Sequence, residues 1–272
     1  MKLSVVIAPS GAPENAFVVW RGFEDSISKA AETGYHGVEL ALSGAEDVDT
    51  PSLQKWLDRA GMSVSCISTG LVYAQKGLYM THPDPGMRQE IVRLFQGLIP
   101  LAAAHGGLIN IGRARGWAAQ GQTLDQARGL FLDCIERILP MAEREGVTLL
   151  IEPVNRYEIN FINSLDDAAR MLDMIGGSNM GIMADCFHMN IEDDTFEGSF
   201  TRNARYVRYV HIADSNRKAP GQGHTDFDMI LRVLKQIGYN GWLSLEILPG
   251  DGPDAAARAA AKHMLPLLGR YA

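Results

Sequence analysis

Short apolar runs alternate with segments of helical periodicity along the chain, and this alternation constrains the fold more than any other feature. Glycines such as Gly34, Gly61 and Gly176 follow the helical segments, where a residue with positive φ favours a helix end. The predicted strands are Leu3–Ala8, Gly37–Leu40, Ser63–Ser68, Leu108–Ile111, Thr148–Glu152, Met180–Asp185, Val207–Ala213 and Trp242–Ile247. The predicted helices are Phe23–Thr33, Ser52–Ala60, Met87–Ala104, Leu124–Glu145, Leu165–Ile175, Ile191–Asn203, Met229–Ile237 and Ala255–Leu268.

Eight alternating strand and helix units in 272 residues match the size and order of a (β/α)8 TIM barrel. The rival α/β fold, a doubly wound open sheet, usually carries a glycine-rich turn after its first strand. The corresponding segment, Ala8-Pro-Ser-Gly-Ala-Pro13, has no such pattern. Since no linker interrupts the chain, we predict one barrel domain over residues 1–272, with functional residues at the carboxyl ends of its strands.

Charge and composition limit the partners that the chain is expected to have. It carries 25 Lys and Arg against 32 Asp and Glu, a net charge of −7, which disfavours nucleic acid as a partner. Its apolar runs are far shorter than the roughly 20 residues of a membrane span, and the first residues do not resemble a signal peptide. The three cysteines, at irregular spacing, are interpreted as free thiols. We therefore expect a cytoplasmic protein with neither a membrane nor a nucleic-acid partner.

Each of the last four predicted strands ends in a side chain that can bind a metal ion. These are Glu152, Asp185, His211 and Glu246. In a parallel barrel the four strand ends meet at one mouth, where three carboxylates and one imidazole suit Mn²⁺, Co²⁺ or Mg²⁺ better than a structural zinc. An acid at the end of a single strand is as easily explained by solvent or by a helix cap. Four such residues on consecutive strands favour a metal site.

The segments around these residues resemble a known family. They are Glu152-Pro-Val-Asn-Arg-Tyr-Glu158, Ala184-Asp-Cys-Phe-His-Met-Asn190, His211-Ile-Ala-Asp-Ser-Asn-Arg217 and Gly241-Trp-Leu-Ser-Leu-Glu246. They are similar to the signature segments of the xylose-isomerase-like TIM-barrel superfamily. Within it they most resemble the metal-dependent ketose 3-epimerases, which include tagatose and psicose 3-epimerases and 5-keto-L-gluconate epimerase. The likeness extends over nearly the whole chain.

The resemblance implies a set of roles for individual residues. It implies that Glu152, Asp185, His211 and Glu246 hold a divalent ion, with Mn²⁺ favoured. It also implies a homo-oligomer, a dimer or tetramer, that acts on a sugar or sugar acid. The substrate's oxygens would be bound by three residues in the loops after the fifth, sixth and seventh strands: Glu158, His188 and Arg217.

A pair of glutamates on opposite sides of such a site could invert a carbon next to a ketone. The proton on that carbon is too weakly acidic to leave unaided, so a base and a stabiliser of the enolate oxygen are needed. Strands five and eight are three positions apart around the ring, so Glu152 and Glu246 approach from different sides. One would remove the C3 proton to give a cis-enediolate and the other would return a proton to the opposite face.

Four further residues carry predictions with open alternatives. Arg113 and Arg115 follow strand four and predict an anion site, favouring a keto sugar acid over a neutral ketose, unless they pair with surface or subunit-interface acids. Cys66 lies in a strand and is either a wall of the substrate pocket or part of the core. Glu39 either enters the mouth or fills the barrel interior, paired with an arginine.

There are four alternatives to an epimerase for the same site: two other enzymes that use an enolate, a non-catalytic sugar-binding protein and a nuclease. An aldose–ketose isomerase of the hydroxypyruvate type and a sugar dehydratase would use the same enolate chemistry. A non-catalytic sugar-binding barrel would not require paired carboxylates. An apurinic endonuclease would need further histidines at the ends of strands three and four, where the sequence has Ser68-Thr69 and Asn110-Ile111.

Overall fold

Eight parallel strands close into a barrel in the computed structural model, which describes residues 1–249 and 252–271. Each strand hydrogen-bonds to the next, and the first pairs with the eighth, with Val5 opposite Leu245. The predicted (β/α)8 fold is therefore confirmed, while the assignment of residues 1–272 to one domain stays a prediction. The barrel strands are Lys2–Ala8, Gly37–Ala41, Ser63–Ser68, Leu108–Ile111, Thr148–Ile151, Met180–Asp185, Val207–Ile212 and Trp242–Leu245.

Helices surround the barrel and bury their apolar faces against the outside of the sheet. The main apolar cluster joins strand residues such as Val5 and Ile7 to helix residues such as Ile27 and Phe95. None of the described helices is long and apolar enough to cross a membrane. The described helices are Phe23–Thr33, Thr50–Ala60, Gly70–Lys76, Pro85–Ala104, Leu124–Arg144, Leu165–Ile175, Cys186–Glu192, Phe196–Arg202, Phe227–Gln236 and Pro253–Arg270.

The sixth strand is followed by two short helices, where the sequence predicts one over Ile191–Asn203. The first, Cys186–Glu192, begins directly after the strand, because the Asp185 side chain accepts a hydrogen bond from the Phe187 amide at 2.8 Å. It ends at Asp193, whose backbone is extended. The Thr195 hydroxyl then caps the second helix by accepting from the Gly198 amide. Two separate caps thus turn a single predicted helix into two.

The barrel interior contains a cluster of four buried polar side chains below its mouth. The Tyr209 hydroxyl lies 2.6 Å from Ser65 Oγ and 3.3 Å from Ser4 Oγ, and it donates to Glu39 Oε2 at 2.8 Å. All of these side chains are buried. Because an unpaired polar group is costly to bury, each of these atoms has a partner. The chain of hydrogen bonds leads from the barrel floor upward to the candidate site.

Candidate metal centre and adjoining cavity

Four side chains at the ends of strands five to eight form one tight cluster. Glu152, Asp185, His211 and Glu246 each offer a ligand atom, and these atoms all lie within 4.8 Å of one another. His211 Nδ1 lies 3.2 Å from Glu152 Oε1, 3.7 Å from Asp185 Oδ2 and 3.6 Å from Glu246 Oε2. The parallel register that pairs Asp185 with His211 brings the strand ends to one level. The sequence prediction thus named residues that the fold brings together.

Glu39 orients the imidazole of His211 from below. Both Glu39 oxygens lie 3.0 Å from His211 Nε2, and both side chains are fully buried. A carboxylate at this position accepts a hydrogen bond from Nε2–H. The other ring nitrogen, Nδ1, then faces the carboxylates of Glu152, Asp185 and Glu246. Burial disfavours a charged imidazole, but Glu39, Asp185 and Glu152 raise the pKa of His211 well above its usual value. The expected arginine partner of Glu39 is therefore wrong: Glu39 pairs with His211 and Tyr209.

Arg217 links two of the clustered carboxylates. Its guanidinium donates to Asp185 Oδ2 at 2.7 Å and contacts Glu246 Oε2. The group lies between the rings of Phe17 and Phe187, 4.8 Å from each centroid. Burial opposes ionisation of Asp185, but Arg217 and the neighbouring imidazoles hold its pKa below the usual range. Arg217 has a φ of 61°, a conformation that non-glycine residues adopt rarely and that marks a strained position in the loop.

His188 and Glu158 are positioned by one amide. Asn155 Nδ2 lies 2.8 Å from His188 Nδ1 and donates to Glu158 Oε1 at 2.9 Å. The Tyr157 amide donates to Asn155 Oδ1 at 3.0 Å, which fixes the orientation of the Asn155 side chain. His188 Nδ1 therefore accepts a hydrogen bond and Nε2 carries the proton. Burial lowers the pKa of His188, so it is a neutral donor at this site.

A cavity opens above the cluster on the carboxyl side of the barrel. It is bordered by Glu152, Glu158, His188, Arg217 and Glu246, together with apolar side chains of the loop after strand one and of the helix after strand three. The remaining lining residues are Val6, Pro13, Asn15, Ala16, Phe17, Val18, Ala41, Ser68, Gly70, Leu71, Ala74, Asn110, Arg113 and Val154. The predicted substrate residues Glu158, His188 and Arg217 thus share one cavity with the two predicted acid/base glutamates.

Asn110 is a cavity residue to which the sequence analysis gave no role. Its Nδ2 donates to Glu152 Oε2 at 2.8 Å, while its Oδ1 is buried without a partner among the described residues. Asn110 lies at the end of strand four, in the position where a nuclease would need a histidine. Its position at the end of the strand before Glu152 could have indicated a role in the site. Asn155 could have been found in the same way, because it lies in the segment between Glu152 and Glu158.

Arg115 does not face the cavity, so the prediction that it binds substrate is wrong. Its guanidinium is fully buried and donates to the backbone carbonyls of Gly112, Glu152, Phe161 and Ile162 at 2.5 to 3.1 Å. Burial lowers its pKa to about 10, although nearby acids partly oppose this. It ties the loop after strand four to the loop after strand five. Four of its five N–H groups thus donate to carbonyls of the protein.

Of the two other predicted substrate-binding residues, Arg113 borders the cavity and Cys66 does not. The guanidinium of Arg113 borders the cavity, lies 5.3 Å from the Tyr73 ring centroid, and has no hydrogen-bond or ion-pair partner within residues 1–249 and 252–271. Cys66 is fully buried in the barrel interior with Leu150, Met183 and Tyr209 and does not border the cavity. Burial raises the pKa of its thiol well above the usual value. The substrate-wall prediction for Cys66 is therefore corrected to a core position.

The donor set fits a divalent cation. Glu39, Glu152, Asp185 and Glu246 bring four carboxylates into or next to a buried cluster whose cationic groups are Arg217 and the protonated His211 imidazole, so the negative charges outnumber the positive ones. Burying an uncompensated charge is expensive, so this arrangement favours a further positive charge at its centre. Three carboxylate oxygens and one imidazole nitrogen are ligands that such an ion accepts. The structure therefore supports a site for a divalent metal.

Comparison with known proteins decides the family. A sequence model described as "Xylose isomerase-like TIM barrel" matches residues 27–267. The chain belongs to this family. Its relatives include a ketose 3-epimerase of Arthrobacter globiformis, 29% identical over 234 residues that cover 82% of this chain and 79% of that protein. The family resemblance inferred from the motifs is thus confirmed.

Two further relatives of this xylose-isomerase-like protein are also epimerases. A 3-dehydro-D-guloside 4-epimerase of Escherichia coli is 34% identical over 125 residues, 46% of this chain and 48% of that protein. A solved L-ribulose 3-epimerase structure aligns with a TM-score of 0.84 and 23% identity over 99% of this chain and 95% of that chain, which shows the shared fold. The predicted enzyme class, an isomerase that acts as an epimerase, is confirmed.

Proposed function

We propose that the protein inverts C3 of a ketose, with Glu152 and Glu246 as the acid/base pair. The observation that carries this proposal is that both carboxylates border one cavity from strands separated by two others, within one ligand cluster. Two carboxylates on different sides of a bound sugar can serve its two faces. The names of the relatives support the same reaction class.

A divalent ion held by Glu152, Asp185, His211 and Glu246 would polarise the ketone oxygen and so acidify the neighbouring C–H bond. We favour Mn²⁺, with Co²⁺ and Mg²⁺ as alternatives, because oxygen donors predominate. One glutamate then takes the C3 proton to give a cis-enediolate. The other gives a proton to the opposite face, and in a reversible reaction each glutamate has either role.

The remaining cavity residues would hold the substrate for this exchange. Arg217 and the neutral His188 offer N–H donors to oxygens next to the reacting carbon, and Glu158 offers an acceptor for a hydroxyl. Asn110 anchors Glu152 through one oxygen and leaves its own carbonyl available for a hydroxyl. Because folding has already fixed these side chains, little further entropy is lost when they orient the substrate. These contacts therefore favour a reactive geometry.

A neutral sugar fits this cavity better than a sugar acid. The preference for a keto sugar acid was predicted from two guanidinium groups, but Arg115 is buried and bonded to carbonyls. Arg113 remains as one cation, with the Glu158 carboxylate bordering the same cavity. We therefore propose a neutral keto sugar, and keep the dimer or tetramer and the cytoplasmic location as predictions.

Solvent exchange tests the proposed reaction. The Mn²⁺-loaded protein is incubated with a panel of ketoses in D₂O and followed by NMR. We expect deuterium at C3 in both epimers. Label at C1 alone would instead identify an aldose–ketose isomerase, and loss of a hydroxyl would identify a dehydratase. Full turnover after exhaustive chelation would contradict the metal requirement.

Substitution of the two glutamates tests their roles. Glu152→Gln and Glu246→Gln should each reduce exchange by at least about 10²-fold, the lower range for loss of a general acid or base. Glu197→Gln, on an exposed first turn of a helix, is the matched control and should exchange like the wild type. Exchange that survives in either site variant at more than about a tenth of the wild-type rate would contradict the acid/base assignment.

A further inference from the structure

A second cavity opens beside the first, and the two share the side chains of Arg113 and Glu158. Three aromatic residues, Tyr73, Trp117 and Tyr157, form much of its wall. Tyr157 is 83% exposed, which is unusual for so large a side chain. A keto sugar in the first cavity would therefore have a polar and aromatic space directly next to it.

The walls of the second cavity are held in place before any ligand binds. The Asn160 side chain donates to the Ala118 carbonyl and accepts from the Ala118 amide, both at 3.0 Å. Trp117 stacks on Tyr79 with ring centroids 4.2 Å apart. Arg115 joins the same two loops from beneath through its four carbonyl contacts. A fixed wall reduces the entropy lost on binding.

The charges around the second cavity favour a neutral ligand. Arg156 also borders it, but its guanidinium forms a two-pronged pair with Glu192 at 2.8 and 2.9 Å. Arg113 and Glu158 also border the cavity, so with the Arg156–Glu192 pair its charged side chains sum to zero. A charged ligand therefore gains no net attraction there, whereas a hydroxyl group can accept from Arg113 or donate to Glu158. The aromatic rings supply surfaces for the C–H face of a ring.

We propose that this second cavity binds a neutral sugar ring that is joined by a glycosidic bond to the reacting keto sugar. The substrate class would then be a disaccharide whose reacting unit is a ketose with a free ketone, with Arg113 and Glu158 at the junction of its two sugars. This inference rests on the proposed function, because it places the reacting sugar in the first cavity. Tyr157 is a specificity residue for the second ring and does not touch the reacting carbon.

The test compares two ketones that differ in the second ring. The Mn²⁺-loaded wild type is assayed with lactulose, a disaccharide of galactose and fructose, and with D-fructose, following solvent deuterium exchange at C3 of the ketose. We expect kcat/KM to be about tenfold higher for the disaccharide, since one aromatic contact contributes on this order. Tyr157→Ala should remove this advantage, and Tyr157→Phe should restore it. Met174→Ala, a 57% exposed residue elsewhere, is the control.

Binding without turnover separates this proposal from the proposed reaction. The affinity of lactulose for Glu246→Gln, measured by calorimetry, should fall about tenfold when Tyr157→Ala is added, while that of D-fructose stays within twofold. Equal affinity and equal kcat/KM for both compounds would overturn the second-ring proposal and leave the reaction intact. Failure of every keto sugar, free ketoses included, to exchange would instead refute the proposed function.

Discussion

Replacing Glu39 by glutamine should weaken metal binding without removing any metal ligand. The substitution keeps the size of the side chain but removes the charge that lies 3.0 Å from His211 Nε2 through both oxygens. One glutamine oxygen at the place of Oε2 can still accept from His211 and from the Tyr209 hydroxyl, but the second carboxylate oxygen next to Nε2 is replaced by an NH₂ group, which repels the Nε2–H group. The imidazole then loses both its fixed orientation and part of its basicity.

Loss of such a supporting carboxylate typically lowers metal affinity about 10- to 100-fold. This corresponds to about 1.4 to 2.7 kcal/mol of binding free energy. Because Glu39 is fully buried and contacts His211 through both oxygens, we expect the upper half of that range. The assay is calorimetric titration of chelator-treated protein with Mn²⁺.

Tyr209→Phe is the matched control for this experiment. It removes the hydroxyl that donates to Glu39 but leaves both Glu39 oxygens facing His211. Its Mn²⁺ affinity should fall less than that of Glu39→Gln. If Glu39→Gln binds Mn²⁺ within twofold of the wild type, or if Tyr209→Phe weakens binding more, then Glu39 does not act through His211.

Three further substitutions test the corrected positions and the pH dependence of stability. Arg115→Met leaves backbone carbonyls without donors and should lower the free energy of unfolding in urea by about 3 to 5 kcal/mol; a loss below about 1 kcal/mol would contradict the role given to Arg115. Cys66→Ala should cost about 1 kcal/mol of stability and leave the substrate KM within twofold, whereas a tenfold rise in KM would return Cys66 to the pocket. Burial raises the pKa of Asp193 to about 6, so the folded state holds this proton more tightly than the unfolded state, and stability falls as pH rises from about 4 through 6. Asp193→Asn should remove this loss, so its stability relative to the wild type should rise by about 2 kcal/mol between pH 4 and pH 7; a difference independent of pH would refute the assignment.

The barrel and its four metal-competent residues were predictable because they depend on periodicity and strand order. Parallel strands in a closed ring bring their carboxyl ends together whatever the details of packing, so Glu152, Asp185, His211 and Glu246 could be grouped from the sequence. The same logic placed Glu158 and His188 just beyond strands five and six, although His188 lies on the helix Cys186–Glu192 and not in a loop. Neither inference needs the orientation of an individual side chain.

Side-chain direction is what the sequence left undetermined. Arg113 and Arg115 are two positions apart in one short turn, yet one borders the cavity and the other is buried beneath it. Within the second strand, a register irregularity at Glu39 sets which neighbours its carboxylate meets. Cys66 and Glu39 thus depended on tertiary packing, which periodicity does not resolve. The direction of each of these side chains is set by its neighbours in the complete fold.

The four ligands also have a mechanical consequence, because each belongs to a different strand of the second half of the barrel. An ion shared by strands five to eight would cross-link chain segments from Glu152 to Glu246 that the sequence keeps far apart. At a free concentration of about 100 times its Kd, such a ligand stabilises the folded state by about 2.7 kcal/mol. Resistance to heat and to proteases would then vary with the supply of the ion.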